Sequence, residues 1–580
     1  MKRLLHYLSG YKLESILGPL FKMLEASFEL FVPLVVASMI DVGIKQSNAA
    51  YILRQGGLLI LLGIIGLACS LTAQYFAAKA SVSAATCLRN DLFQHISNLS
   101  YPEIDTVGTS TLITRMTSDI NQVQTGINMV LRLFLRSPFV VFGAMIMAFT
   151  VDVKAAMAFV VVIPLLSVVV FGILLISMPL YKKVQKQLDR VMLTTRENLM
   201  GVRVIRAFNR QKSETARFEE ENGLLVRFQV FVGKISALLN PVTYIMINFA
   251  IIAVVWIGAL QVGAGIITQG KVVALVNYMS QILVELVKLA NLMIIISKSV
   301  ACMNRVDTIF KMEPSIKEKN KVFASQENSL PKLVFDQVSF LYAGAKEESL
   351  SGIDFSVKKG ETIGIIGGTG SGKSTVVNLI PRFYDVALGQ VSLDGRDVRD
   401  YPLEKLREKI GVVPQKAVLF KGSLRENMQW GKKDASDEEI YRALDIAQAR
   451  EFVDGKKKGL DLYIEQGGRN LSGGQRQRLT IARALVREPE ILILDDSASA
   501  LDFATDARLR RAIKENTGDM TVFLVSQRAA TIRNADQILV LDDGKLAGKG
   551  THKELLSSCA LYREICLSQL SKEEVERDGR

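Results

Sequence analysis

Apolar residues fall along this chain in two regimes. Up to about residue 300 they gather in long blocks, and beyond Leu333 they come in strand-length runs punctuated by glycine and charge. A bilayer core of roughly 30 Å needs about 20 mostly apolar residues per helix. Six stretches meet or approach that length, near 16–40, 57–80, 130–151, 155–180, 241–263 and 273–298, with Leu58–Cys69 and Ala155–Leu180 the clearest. The intervening stretches 81–129 and 181–240 keep helical periodicity, so the membrane helices are expected to continue beyond the bilayer.

The first apolar stretch carries Lys22, Glu25 and Glu29, spaced three and four apart and so on one helix face. Each charge costs about 2.5–3.5 kcal/mol at a helix centre, so the three are expected to pair or to face a bundle cavity. Glu285 and Lys288 in the sixth stretch pose the same alternative. A substrate-cation site and charges satisfied within the bundle both remain open for the two groups.

Composition sharpens the division. The 580 residues are 49% apolar and 22% charged, with a mean hydropathy of +0.24, which implies one half in lipid and the other in water. A net charge of +13 without a basic stripe interleaved with aromatics reads as membrane topology, not nucleic-acid binding. Between 181 and 240 lie 12 Lys and Arg, against Lys45, Arg54, Lys154 and Lys271 in the opposite loops. Both termini are therefore expected in the cytoplasm, in a multi-pass protein. Residues 1–12 form a short basic amphipathic segment suited to the membrane surface, not a cleavable signal peptide. The five cysteines, Cys69, Cys87, Cys302, Cys559 and Cys566, have neither metal spacing nor a disulfide framework.

These patterns predict a multi-domain protein: a six-helix α-helical transmembrane domain over 1–305, a linker over 306–332, an α/β P-loop domain over 333–570 and a charged tail over 571–580. The strand Thr362–Ile366 leads into Gly367, Gly368, Thr369, Gly370, Ser371, Gly372, Lys373, Ser374 and Thr375, a G-x-x-x-x-G-K-[ST] run that opens a helix. Its glycines let backbone N–H groups close around phosphate, Lys373 balances β- and γ-phosphate charge, and Ser374 can ligand Mg2+. The apolar run Ile491–Leu494 ending in Asp495 has the form of a buried parallel strand that delivers a carboxylate to the magnesium shell. ATP and Mg2+ are the expected cofactors.

Between these motifs lie Leu471, Ser472, Gly473, Gly474 and Gln475, leading into a helix: a second anion nest. With this pentapeptide the chain resembles the ABC transporter family, and nearly its whole length resembles an ABC exporter half-transporter. The resemblance implies that Leu471–Gln475 acts in trans on ATP held by a partner's domain. It further implies that Tyr342 stacks on adenine, that Gln415 senses Mg2+, and that Ser499, Ala500, Leu501 and Asp502 form the loop crossing to the partner. Arg196–Phe208 resembles an intracellular loop that docks on a nucleotide-binding domain.

Two positions depart from the family. Asp496 stands where a glutamate ordinarily polarises water, one methylene short, and Gln527 stands where most relatives carry a histidine at the γ-phosphate. General-base positioning is worth roughly 10²–10⁴-fold, and a displacement of about 1 Å forfeits much of it. Glu465–Asn470 also differs from the glutamate-containing loop before the signature. The pattern resembles the degenerate-site subunit of heterodimeric bacterial multidrug exporters in the cell membrane. It implies a second half-transporter as partner, with the lipid bilayer and an amphipathic drug or lipid as its other contacts. The alternatives are a homodimeric exporter with slow ATPase and a non-transporting ATP-binding regulator of a membrane protein.

Overall fold

The computed structural model describes residues 2–318, 331–456, 458–497 and 500–578. The chain divides into two units, Met1–Ser97 with Thr109–Met312 and Asn98–Gly108 with Glu313–Arg580.

Among the described residues, the first unit holds six helices long and apolar enough to cross a membrane: α1 (Lys12–Ile44), α2 (Ala49–Ser97), α3 (Thr109–Val151), α4 (Val153–Met200), α5 (Gln211–Gly263) and α6 (Gln269–Phe310). Each outruns its apolar stretch. At 1.5 Å per residue α6 is about 63 Å long, twice a bilayer core. The periodic stretches between apolar blocks are therefore helical extensions, as their sequence predicts.

Runs of small residues pack one helix face in the bundle, beside large buried side chains such as Phe159, Leu166 and Met279, while many other large apolar residues face outward. Ala73, Ala77, Ala80 and Ala84 are fully buried along one face of α2, whereas Ile60, Leu67, Leu71, Val161, Val168 and Trp256 are exposed. Lipid gives large apolar side chains no reason to turn inward, so close backbone approach decides which face packs. At Gly270 an added Cβ would lie 2.2 Å from the Ala37 carbonyl oxygen, which fixes the approach of α6 to α1. Pro33 lies inside the continuous helix α1 and removes one ladder donor, and nearby the buried Tyr278 hydroxyl donates to the Leu30 carbonyl at 2.7 Å.

The charges singled out in the first and sixth apolar stretches are paired. Lys22 bonds Glu25 and Ser70. Arg136 of α3, which the hydropathy pattern passes over, donates to Glu29 and Glu285 at 2.6 Å each. Glu285 also accepts from Ser137 and Lys288, both at 2.8 Å. Glu29, Glu285 and Lys288 line a cavity of about 360 Å³ together with Asn277, Ser280 and Gln281.

Among its described residues the second unit has two large sheets and a two-stranded one formed by Gly422–Ser423 and Tyr463–Ile464. One large sheet runs β2-β1-β4-β5, from β1 (Leu333–Phe340), β2 (Leu350–Val357), β4 (Leu388–Leu393) and β5 (Arg396–Asp397). The other runs β10-β9-β3-β8-β7-β6, with β3 (Thr362–Gly367), β6 (Ile410–Val413), β7 (Ile491–Asp495), β8 (Thr521–Val525), β9 (Gln537–Asp542) and β10 (Lys545–Gly550). Five of these strands are parallel, and β10 pairs antiparallel with β9. Every residue of β7 and β8 is buried, as expected of parallel strands covered on both faces.

Residues 98–108, expected within the membrane domain, pack instead with the second unit. Ser100 and Glu103 close a capping box on the helix Tyr101–Val107. The Tyr101 ring lies 4.5 Å from Phe383, and the Tyr384 hydroxyl donates to Asp105 at 2.6 Å. Two aromatic neighbours and a charge-assisted hydrogen bond account for the attachment. The helix of Arg196–Phe208 is present as Val202–Ala207, exposed except for the half-buried Ile205. In the linker, α6 extends to Phe310 and residues 319–330 lie outside the described residues. The charged tail carries a helix, Lys572–Asp578, whose Val575 is buried.

Candidate nucleotide-binding site

Three adjacent parallel strands of the larger sheet deliver the candidate residues at one edge, β3 running two residues past the rung at which β7 and β8 end. Asp495 of β7 pairs with Val525 of β8, which pairs with Ile365 of β3. Past these rungs the chain becomes the phosphate loop after β3, Asp496 after β7 and Ser526–Gln527 after β8. Ligand sites in open α/β sheets form at this carboxyl edge. Two hydrogen bonds lace the edge together: Asp496 N–H to the Val525 carbonyl at 2.9 Å, and Ser526 N–H to the Ile365 carbonyl at 3.1 Å.

The phosphate loop is held by backbone that only glycine supplies. Gly372 sits at φ +93° as the N-cap of α7 (Lys373–Leu379), and an added Cβ there would meet the Ser349 carbonyl oxygen at 2.9 Å. Lys373 arches over the loop and donates to the Gly367 carbonyl at 2.9 Å and to the Gly368 carbonyl. Burial holds its ammonium below the ordinary lysine range, against the nearby carboxylates. A cavity of about 440 Å³ lies in front, lined by Gly370, Gly372, Lys373, Ser374, Thr375 and Tyr342. The Tyr342 hydroxyl is 3.2 Å from Thr375 Oγ1, and its ring stands edge-on to Phe340 and Tyr384.

The donor set suits Mg2+. Ser374 Oγ donates to Asp495 Oδ1 at 3.0 Å, which places a hydroxyl and a carboxylate where a hard cation takes oxygen ligands beside phosphate. Burial raises the Asp495 carboxyl above the usual aspartate range, and Asp496 adds to that push against the Ser374 bond and Lys373. Gln415, just past β6, donates from Nε2 to Asp496 Oδ2 at 3.3 Å. Asp496 sits at φ +43°, a left-handed conformation that aspartate tolerates better than most residues. Thus Ser374 meets Asp495 and Gln415 meets Asp496 at this edge.

Leu471–Gln475 lies elsewhere and does not line the cavity before Lys373. Ser472 caps the helix α8 (Gly473–Leu485) in a box with Gln475, so amides of a helix start are presented outward. An added Cβ on Gly474 would meet the Ala500 carbonyl oxygen at 3.2 Å, so the signature rests against the loop that follows β7. Asp502 in that loop caps the helix Phe503–Asn516 through Thr505 N–H at 2.8 Å. Ser499 lies outside the described residues.

Residues 15–286 match the ABC transporter transmembrane region family and residues 350–499 the ABC transporter family. The uncharacterized ABC transporter ATP-binding protein YfiB of Bacillus subtilis (strain 168) is 37% identical over 573 residues, 99% of each chain. The chain belongs to the ABC transporter family. This ABC transporter is also 30% identical over 578 residues to an ATP-dependent lipid A-core flippase of Haemophilus ducreyi, 98% of each chain. A solved bacterial Atm1-family ABC exporter with ATP bound shares the fold at a TM-score of 0.77 and 23% identity, over 98% of this chain and 99% of that one. The ABC transporter is thus a half-transporter of exporter architecture, with a membrane domain fused to an ABC ATPase domain. Sequence reading missed two parts: Arg136, masked by its apolar neighbours, and the helix after Ser100, signalled by its S-x-x-E capping pattern.

Proposed function

We propose that this chain is the weakly hydrolysing half of a two-chain, ATP-driven exporter of amphipathic molecules. The observation that carries the reading is Asp496: the second carboxylate at the magnesium end of the site is one methylene short, and Gln527 follows β8 where a histidine would supply charge. Lys373 and the loop amides would bind the phosphates, and Tyr342 would meet adenine. Ser374, Asp495 and Gln415 would hold Mg2+, which neutralises charge between the β- and γ-phosphates. Such a site retains ATP well and turns it over slowly. Leu471–Gln475 would complete the partner's site, where hydrolysis proceeds. Both termini and the ATPase domain would face the cytoplasm of a bacterial cell, following the Lys and Arg distribution. A lipid or lipid-like drug is supported as cargo by the flippase relatives and by a polar cavity among membrane helices.

The alternative of a homodimer with slow turnover rests on the same Asp496, still a carboxylate within 3.3 Å of Gln415. Magnesium-dependent ATPase in lipid separates the two. It would be measured alone and with a candidate partner half-transporter from the same cell, each with wild-type Asp496 and with Asp496→Ala. Activity that needs the partner and survives Asp496→Ala supports the asymmetric pair; activity of the lone chain abolished by Asp496→Ala supports the homodimer.

A further inference from the structure

A C-terminal helix, Ala560–Gln569, ends beside the loop that follows β8. Tyr562 and Cys566 are fully buried and seat it in the same core as Ala529 and Ile532. Its last residue then reaches the loop with both ends of its amide. Gln569 Nε2 donates to the Gln527 carbonyl at 2.8 Å, and Gln569 Oε1 accepts from Ala529 N–H at 2.8 Å. One planar group thereby binds two main-chain groups two residues apart, where β8 gives way to the helix Ala529–Ile532. On the strand side the loop is fixed by Ser526, whose N–H bonds Ile365 and whose Oγ accepts from Arg528 N–H at 3.0 Å.

We propose that Gln569 is a positioning residue for the γ-phosphate end of the nucleotide site: it sets the backbone of Gln527 so that the Gln527 side chain faces the terminal phosphate. The inference rests on the placement of Gln527 at that phosphate given above. A neutral glutamine attracts phosphate through a directional hydrogen bond and has no charge to act at a distance, so its value depends on where its backbone points. A helix anchored by two fully buried side chains is a rigid support for that purpose.

The test is the rate of ATP release from the full-length chain in lipid nanodiscs, alone and with a candidate partner half-transporter from the same cell. Gln527→Ala and Gln569→Leu are each expected to speed release about tenfold, with no change for Ser568→Ala on the same helix. The double variant Gln527→Ala/Gln569→Leu is expected to be no faster than Gln527→Ala, because residues acting through one contact are non-additive. Gln569→Glu keeps the acceptor for Ala529 N–H but loses the donor to Gln527. It should speed release while the Ala529 amide stays protected from hydrogen exchange, which guards against misfolding of the leucine variant. If Gln527→Ala speeds release and neither Gln569 variant does, or if the effects multiply in the double variant, the clamp is wrong and the placement of Gln527 stands. If Gln527→Ala leaves release unchanged, that placement fails and the inference falls with it.

Discussion

Asp495 and Lys373 show how burial sets the chemistry of single residues. Asp495 is nearly buried at the end of β7, and desolvation raises its carboxyl despite the Ser374 hydrogen bond. Its folded pKa lies above its unfolded value, so at intermediate pH the folded state binds more protons and gains stability as pH falls. As the proposed magnesium ligand Asp495 must be ionised, so acid that stabilises the empty domain would weaken metal binding. On acidification from neutral pH into the range just above an ordinary aspartate, unfolding temperature without nucleotide should rise from this group, while the shift caused by MgATP should shrink. Asp495→Asn should remove both trends. At Gly372 the constraint is steric: Gly372→Ala places a Cβ against Ser349 at φ +93°, at a cost of about 1–3 kcal/mol. Equilibrium ATP binding by that variant should be lost or reduced more than tenfold. The phosphate loop, Asp495 and Gln415 were legible in sequence because each follows a short apolar strand that fixes its place. Gln569 was not, because it acts on main-chain atoms 40 and 42 residues away and leaves no local pattern.

Among elements, the informative one is the helix Tyr101–Val107. Six spans and their helical extensions were legible from length and periodicity, yet the membership of 98–108 in the ATPase unit depends on Phe383 and Tyr384. Contacts at such separation are outside the reach of any periodicity. Ser100 and Glu103 do more than cap: they also accept from Ile316 and Ser315 N–H, binding the segment that follows α6. Tyr101→Ala removes a ring contact worth about 0.5–1.5 kcal/mol, too little to unfold the domain. ATP affinity should therefore stay within twofold while substrate-stimulated ATPase falls severalfold, as read in nanodiscs with and without a transported amphiphile.

For the molecule as a whole, the charges inside the bundle join three helices. Glu29 on α1, Arg136 on α3 and Glu285 on α6 form a continuous ion-paired chain that Lys288 extends toward a cavity. Arg136 is 6% exposed and Glu285 3%, and without Arg136 the buried Glu285 keeps only Lys288 and Ser137, so the loss is expected to cost up to about 3–5 kcal/mol. Arg136→Met should lower the unfolding temperature in detergent strongly. Arg136→Met/Glu29→Gln/Glu285→Gln should recover most of that loss, because no carboxylate is left uncompensated. A triple variant as unstable as the single one would mean that Arg136 matters for packing and not for charge.

The long separation between Asp105 and Tyr384 also bears on biosynthesis. They lie 279 residues apart in sequence. At about 5–20 residues per second, roughly 15–60 s of translation pass between the emergence of the two. During that interval the nascent chain displays Tyr101–Val107 without its seat, although α1 and α2 are already made. Protease sensitivity at this loop would then report, on a pulse-labelled chain, the moment at which the newborn transporter matures.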